Sequence, residues 1–245
     1  MDALYATILV LVVTNQRIVL AADSRKTFLE VHGVQSVSTI DKIYRTDSFY
    51  YAVSGFHEEE GGFSLHPLIH QHLSGAINLH NAIKPLVQTL VTAMKQYFQE
   101  LKTSHLTLFQ QVMRVSAFGG EIFIVGNVNN IPTAYLIDYQ IRDDAAIRVV
   151  LNTWSIDSNA IKSKESCFWR AIGNTPALAS IWLSEKEWAI NTVKNAKSLI
   201  EEGCRQFPSY VSLPINILEL THDGVHWIEK TPSAPNTLDG NKQGR

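Results

Sequence analysis

The sequence predicts an α+β protein: two antiparallel sheets stacked together and covered by helices on both outer faces. Three observations lead there. Strand-like segments come in runs separated by pairs of helical segments, with none of the strand–helix alternation of a doubly wound parallel sheet. The first hairpin, Leu4–Val13 and Ile18–Ala22, is apolar almost without a break, so both of its faces are covered. Two later regions instead carry apolar residues at three- and four-residue intervals, the period of an amphipathic helix.

Taken in order, the hairpin turns at Thr14–Arg17, "TNQR". Val31–Ile43 reads as a ribbon with a turn near Gly33, and Ser48–Ser54 as a further strand closed by Gly55. His57–Gly62, "HEEEGG", is a loop. From Pro67 to Leu101 the helical period takes over, with Ile83, Leu86, Leu90, Met94 and Phe98 on one stripe. "NLHN" at Asn78–Asn81 divides that region into two helices, with Asn81 as cap and Pro85 in the first turns of the second.

Strands return at Glu121–Val125, Thr133–Tyr139 and Ile147–Trp154, the first two joined at Asn127–Pro132. A second helical region runs from Pro176 to Phe207. Ile215–Leu220 and Val225–Glu229 close the fold as two strands joined by "THDG". There is no internal repeat and no linker, so residues 1–230 read as one domain. The polar residues 231–245, which carry Pro, Asn and Gly, read as a flexible tail.

The bulk properties limit the function classes. The chain has 245 residues, 45% apolar and 18% charged, with a net charge of −2. That balance argues against nucleic acid or an anionic membrane as partner. The longest apolar run, Leu4–Val13, is too short to span a bilayer, and Asp2 stands where a secretion signal would carry Lys or Arg. The two cysteines, Cys167 and Cys204, are too few for a disulfide framework and read as thiols of a reducing compartment. A cytoplasmic location is therefore expected.

No P-loop and no G-x-S-x-G elbow is present. His66, His70 and His72 in "HPLIHQH" have partial metal-ligand spacing, but His72 points away from the other two and no Cys lies nearby. Neither a metal nor a cofactor is assigned.

The remaining constellation is Thr7, Asp23 and Lys42. The stretch "TILVLVVTNQRIVLAADSRKT…STIDKIYRTDSFYYAVSG" resembles the opening of a proteasome β-type subunit, an N-terminal-nucleophile (Ntn) hydrolase of four-layer αββα fold. Weaker similarity continues through "FIVGNVNNIPTAYLIDYQ", "AIGNTPALA" and "PINILELTHDG". The resemblance implies a threonine-type hydrolase that cleaves peptide or amide bonds and assembles into a homo-oligomeric ring. Within it Thr7 is the nucleophile, Asp23 and Lys42 activate it, and the Gly55 N–H is the oxyanion donor. Asn174 falls on the position of a family serine, Ser209 and Ser212 lie close to the bracing position without matching it, and Arg25 is placed to bond nearby backbone or acidic groups; these four are the supporting candidates.

The implied chemistry is physically coherent. A threonine hydroxyl needs a base, and an N-terminal amine supplies one with a reference pKa of roughly 7.7–8.0. An oxyanion donor adds about 3–4 kcal/mol. The sequence also departs from the pattern. Ala6 precedes Thr7 where the family has Gly, Asn174 replaces a serine, and "PSYV" at Pro208–Val211 lacks the family's Asp. Two alternatives therefore stand beside the enzyme: a non-catalytic proteasome-like structural subunit, and a non-proteolytic Ntn amidase or acylase.

Overall fold

In the first hairpin, successive side chains point to opposite faces, and here both faces are buried. β1 (Leu9–Thr14) and β2 (Ile18–Ala22) are covered at every position. Leu9, Leu11, Val13, Ile18 and Leu20 face a second sheet, while Val10, Val12, Val19 and Ala21 face helices. That explains the unbroken apolar run: alternation disappears from the sequence when neither face meets water.

The structure, a computed structural model, describes residues 8–29, 35–55, 63–107, 119–142, 144–157, 163–172, 184–208 and 211–230, together with Phe109, Gln110, Met113 and Ile161. The remaining strands are β3 (Arg25–Leu29), β4 (Gln35–Thr39), β5 (Tyr44–Arg45), β6 (Phe49–Gly55), β7 (Gly120–Val128), β8 (Ile131–Ile141), β9 (Ile147–Ser155), β10 (Cys167–Ile172), β11 (Asn216–Thr221) and β12 (Gly224–Glu229). One five-stranded sheet has the order β10-β1-β2-β11-β12, the other β5-β6-β7-β8-β9, and every pairing in both is antiparallel. β3 and β4 form a separate ribbon.

Four described helices complete the layers. α1 (His66–Leu73) and α2 (Leu79–Ser104) bury Ile69, Leu86, Leu90 and Phe98 against Tyr51, Ile122, Ile124 and Ile137 of the second sheet. α3 (Glu185–Ile190) and α4 (Thr192–Gln206) bury Trp188, Ala196, Leu199 and Ile200 against the first sheet. The result is the expected αββα sandwich, with apolar side chains between each pair of layers.

The structure changes three details. The cap of α2 is Asn78, not Asn81: Asn78 has an extended backbone and its side chain accepts the His80 N–H at 2.8 Å. β10, absent from the sequence reading, pairs with β1 along its whole length. The ribbon begins at Arg25 rather than Val31. The expected loop at His57–Gly62, the turn at Gly33 and the tail 231–245 lie outside the described residues.

Gly203 of α4 packs directly on the Ile8 side chain. A Cβ on Gly203 would lie 2.2 Å from Ile8 Cδ1. A side chain there would force the terminal methyl of Ile8 to shift within the core.

Candidate functional site

Asp23 stands one residue beyond β2, where the sheet delivers it beside the entry to β1. Its N–H donates to the Ile8 carbonyl at 3.2 Å, and the Ile8 N–H donates back to Asp23 Oδ1 at 2.8 Å. The ladder thus continues one step through a side chain. The Arg25 N–H donates to Oδ2 at 3.0 Å, and Lys42 Nζ to Oδ1 at 2.9 Å. The two side chains are 0% and 7% exposed, for Asp23 and Lys42 respectively. Burial pushes the Asp23 carboxyl above its ordinary value, and the charge and hydrogen bonds of Lys42, Ile8 and Arg25 act against that rise.

Local turns aim Lys42 inward. The Ile40 N–H donates to the Ser24 carbonyl at 2.8 Å, tying the segment after β4 to the segment after β2. The Asp41 carboxylate accepts the Ile43 N–H at 3.0 Å, and Ile43 is buried in the inter-sheet core. Lys42 is thereby held between two anchored neighbours. Burial also raises the Asp41 carboxyl, opposed by the Ile43 N–H and by Lys230.

Arg25 and Ser212 join this group from neighbouring elements. Arg25 Nη1 donates to the Pro208 carbonyl at 2.9 Å. The Ser24 N–H and hydroxyl both donate to the Ser212 carbonyl, at 3.3 and 3.4 Å, so Ser212 contributes through its backbone. Gly55 ends β6 on the other sheet and is not among the groups bonded to Asp23. Its φ of +84° and the 2.2 Å that would separate a Cβ from the Gly119 carbonyl oxygen require glycine there. Thr7, Asn174 and Ser209 lie outside the described residues.

Sequence reasoning passed over two neighbours of the pair. Cys204 on α4 is pushed up to about 11 by burial, then by the negative charges of Asp23 and Glu201. It is a neutral thiol at pH 7, not a reactive thiolate. Asn216, fully buried, stands opposite Ala22 in the β2–β11 register. The histidines of α1 have separate roles: His66 packs its ring on Tyr44, and His70 bonds the Ser74 hydroxyl.

No family model matches the chain, and no curated protein matches it. Solved structures do. An Anbu mutant (Gly-1) from Hyphomicrobium sp. strain MC1 is 14% identical, with a TM-score of 0.51 over 94% of this chain and 88% of that one. The helical assembly of the Anbu complex from Pseudomonas aeruginosa gives 14% identity and a TM-score of 0.53, over 87% of this chain and 81% of that one. Anbu, the ancestral β-subunit, from Yersinia bercovieri gives 13% and 0.50, over 93% and 88%.

The fold is that of the Anbu proteins. This corrects the resemblance drawn from the motifs. "LAADSR", "DKI" and "SG" pointed to a proteasome β-type subunit, whereas the three solved structures above are Anbu chains. In this chain the motifs lie at strand ends: "LAADSR" runs from β2 into β3, and "SG" closes β6.

Proposed function

We propose that the chain is a non-catalytic, proteasome-like subunit on an Anbu-like fold that assembles with copies of itself. In this reading the Asp23–Lys42 pair is a structural pin. The observation that carries it is how fully the Asp23 carboxylate is used: Ile8, Arg25 and Lys42 all donate to it, inside a site closed to solvent. Those bonds fix the start of β1, the end of β2, the start of the ribbon and the loop carrying Lys42.

Assembly is supported by apolar residues on edge strands. Leu151 and Val150 on β9 are 38% and 42% exposed, and Ile228 on β12 is 44% exposed. Apolar edges of this kind are surfaces that soluble proteins otherwise protect. The Pseudomonas Anbu structure is itself described as a helical assembly. Residues 1–230 act as the assembling domain and 231–245 as its tail. No helix among the described residues is long and apolar enough to cross a membrane. The free thiols Cys167 and Cys204 fit a reducing, cytoplasmic setting.

A second reading has one specific observation in its favour. Ile8, whose N–H shares Asp23 Oδ1 with Lys42, directly follows Thr7 in sequence. An Ntn threonine hydrolase would use Thr7 as nucleophile, Lys42 and Asp23 to favour its deprotonation, and the Gly55 N–H for the oxyanion. That activity requires a free amine on Thr7, hence cleavage after Ala6.

Sedimentation of the full chain tests the assembly. The proposal expects a species several times the monomer mass that persists on dilution. A monomer at all concentrations contradicts it.

A further inference from the structure

The layer between the two sheets carries charged side chains at one margin. There the edge strands β9 and β10 face each other across a cavity of about 250 Å³ lined by Leu136, Asp138, Asn152, Trp154, Phe168 and Arg170. Register explains the lining. Leu136 pairs with Asn152 and Ala134 with Trp154, so alternate residues of β8 and β9 point into the margin. Phe168 and Arg170, opposite Val13 and Leu11, point in from β10.

Part of the lining is an aromatic pair that bridges the two sheets. The rings of Trp154 and Phe168 stack with centroids 3.6 Å apart and planes at 15°. The lining also carries charges, and they do not balance. Arg170 Nε donates to Glu121 Oε2 at 3.1 Å while Nη2 grips Oε1, so the guanidinium fork is occupied by one carboxylate. Asp138 stands directly opposite Glu121 in the β7–β8 register. Two carboxylates in such a cross-strand pair repel. Arg170 offsets one of them, and its charge reaches Asp138 only through space. Among the described residues the Asp138 carboxylate accepts no hydrogen bond, and Arg148, farther along β9, makes no ion pair with it.

We propose that this cavity binds a small organic cation with a planar guanidinium or amidinium head and an apolar or aromatic body. The cation restores the missing positive charge. Its fork donates two parallel bonds to Asp138, which a compact ammonium does less well. Its body lies against Leu136, Trp154 and Phe168, with Asn152 also in the lining. The volume is below the ~300–1,000 Å³ of drug-sized pockets and suits an arginine-like or benzamidine-like group. Anions are excluded by the net negative charge, and a purely apolar ligand would desolvate Asp138 without a partner. This site is separate from the Asp23–Lys42 pair and stands or falls independently of the assembly reading.

The test is titration of the full-length protein with benzamidine, followed by calorimetry, with the neutral isostere benzamide as control. The proposal expects benzamidine to bind and benzamide to bind at least about tenfold more weakly, the scale of losing a charge-assisted pair. Asp138→Asn should weaken benzamidine by a similar factor while leaving the melting temperature near that of the parent. Asn152→Asp, which adds a negative charge to the lining, should strengthen it, and decides the matter if Asp138→Asn does not fold. Equal binding of the two probes, no binding of benzamidine, or indifference to the charge changes overturns the proposal.

Discussion

Lys42 Nζ and the Ile8 N–H converge on a single oxygen, Oδ1 of Asp23, at 2.9 and 2.8 Å. A residue beyond β2, a residue entering β1 and a loop beyond β4 are thereby joined at one atom. Removing Lys42 leaves the Asp23 carboxylate buried without its counter-charge, and the first prediction follows from that.

Lys42→Met should cost about 3–5 kcal/mol, because it leaves the Asp23 carboxylate buried without its counter-charge. The double variant Asp23→Asn, Lys42→Met should recover most of that loss, since a neutral pair carries no ionic desolvation penalty. Urea unfolding of the two variants measures both values. A double variant as unstable as Lys42→Met would show that the site does more than neutralise charge.

The pH dependence has a definite sign. Asp23 titrates above its ordinary value of 3.8 in the fold, with burial as the leading cause. The folded state therefore holds the proton more tightly than the unfolded chain does. Its contribution is fully present below 3.8 and declines as pH rises toward the folded value. The stability of the parent relative to Asp23→Asn should fall across that window and then level off. A rise instead would mean that Lys42 outweighs burial.

Gly203→Ala should destabilise by about 1–3 kcal/mol, because its Cβ would meet Ile8 Cδ1 at 2.2 Å. Ile8→Val removes that methyl group. Combined with Gly203→Ala it should restore part of the loss, and a double-mutant cycle reads the coupling. Purely additive losses would place the strain elsewhere.

Leu151→Glu should weaken self-association while changing the melting temperature little, since Leu151 is 38% exposed on an edge strand. Sedimentation velocity reads the first effect and thermal unfolding the second. Unchanged association would move the contact surface away from β9.

How much of this was legible in the sequence follows from packing. β1 and β2 stood out because burial on both faces makes them continuously apolar, and α2 because Ile83, Leu86, Leu90, Met94 and Phe98 keep a helical period. β10 was missed: "CFWRAI" is a half-exposed edge strand whose Arg170 serves Glu121 on the other sheet, so its pattern shows neither a core strand nor clean alternation. Asn78 and Asn81 have equal capping chemistry, and only backbone geometry separates them.

At the site, "AADSRK" correctly announced a strand delivering a carboxylate to a lysine. It did not reveal that the carboxylate would be saturated by backbone amides, because those donors carry no sequence identity. Gly203 and the Glu121–Arg170 bridge were equally silent, since each depends on an element distant in the chain. Under the proposed reading the lysine that the motif marks as catalytic pins strand ends instead, and the motif alone does not separate the two roles.

The mass of the intact purified protein, before and after treatment with a threonine-directed electrophile, tests the central claim most directly. A structural Asp23–Lys42 pin predicts a chain that keeps residues 1–6 and gains no adduct. Loss of those six residues together with a single adduct on Thr7 would contradict it, and would establish the N-terminal threonine as a nucleophile.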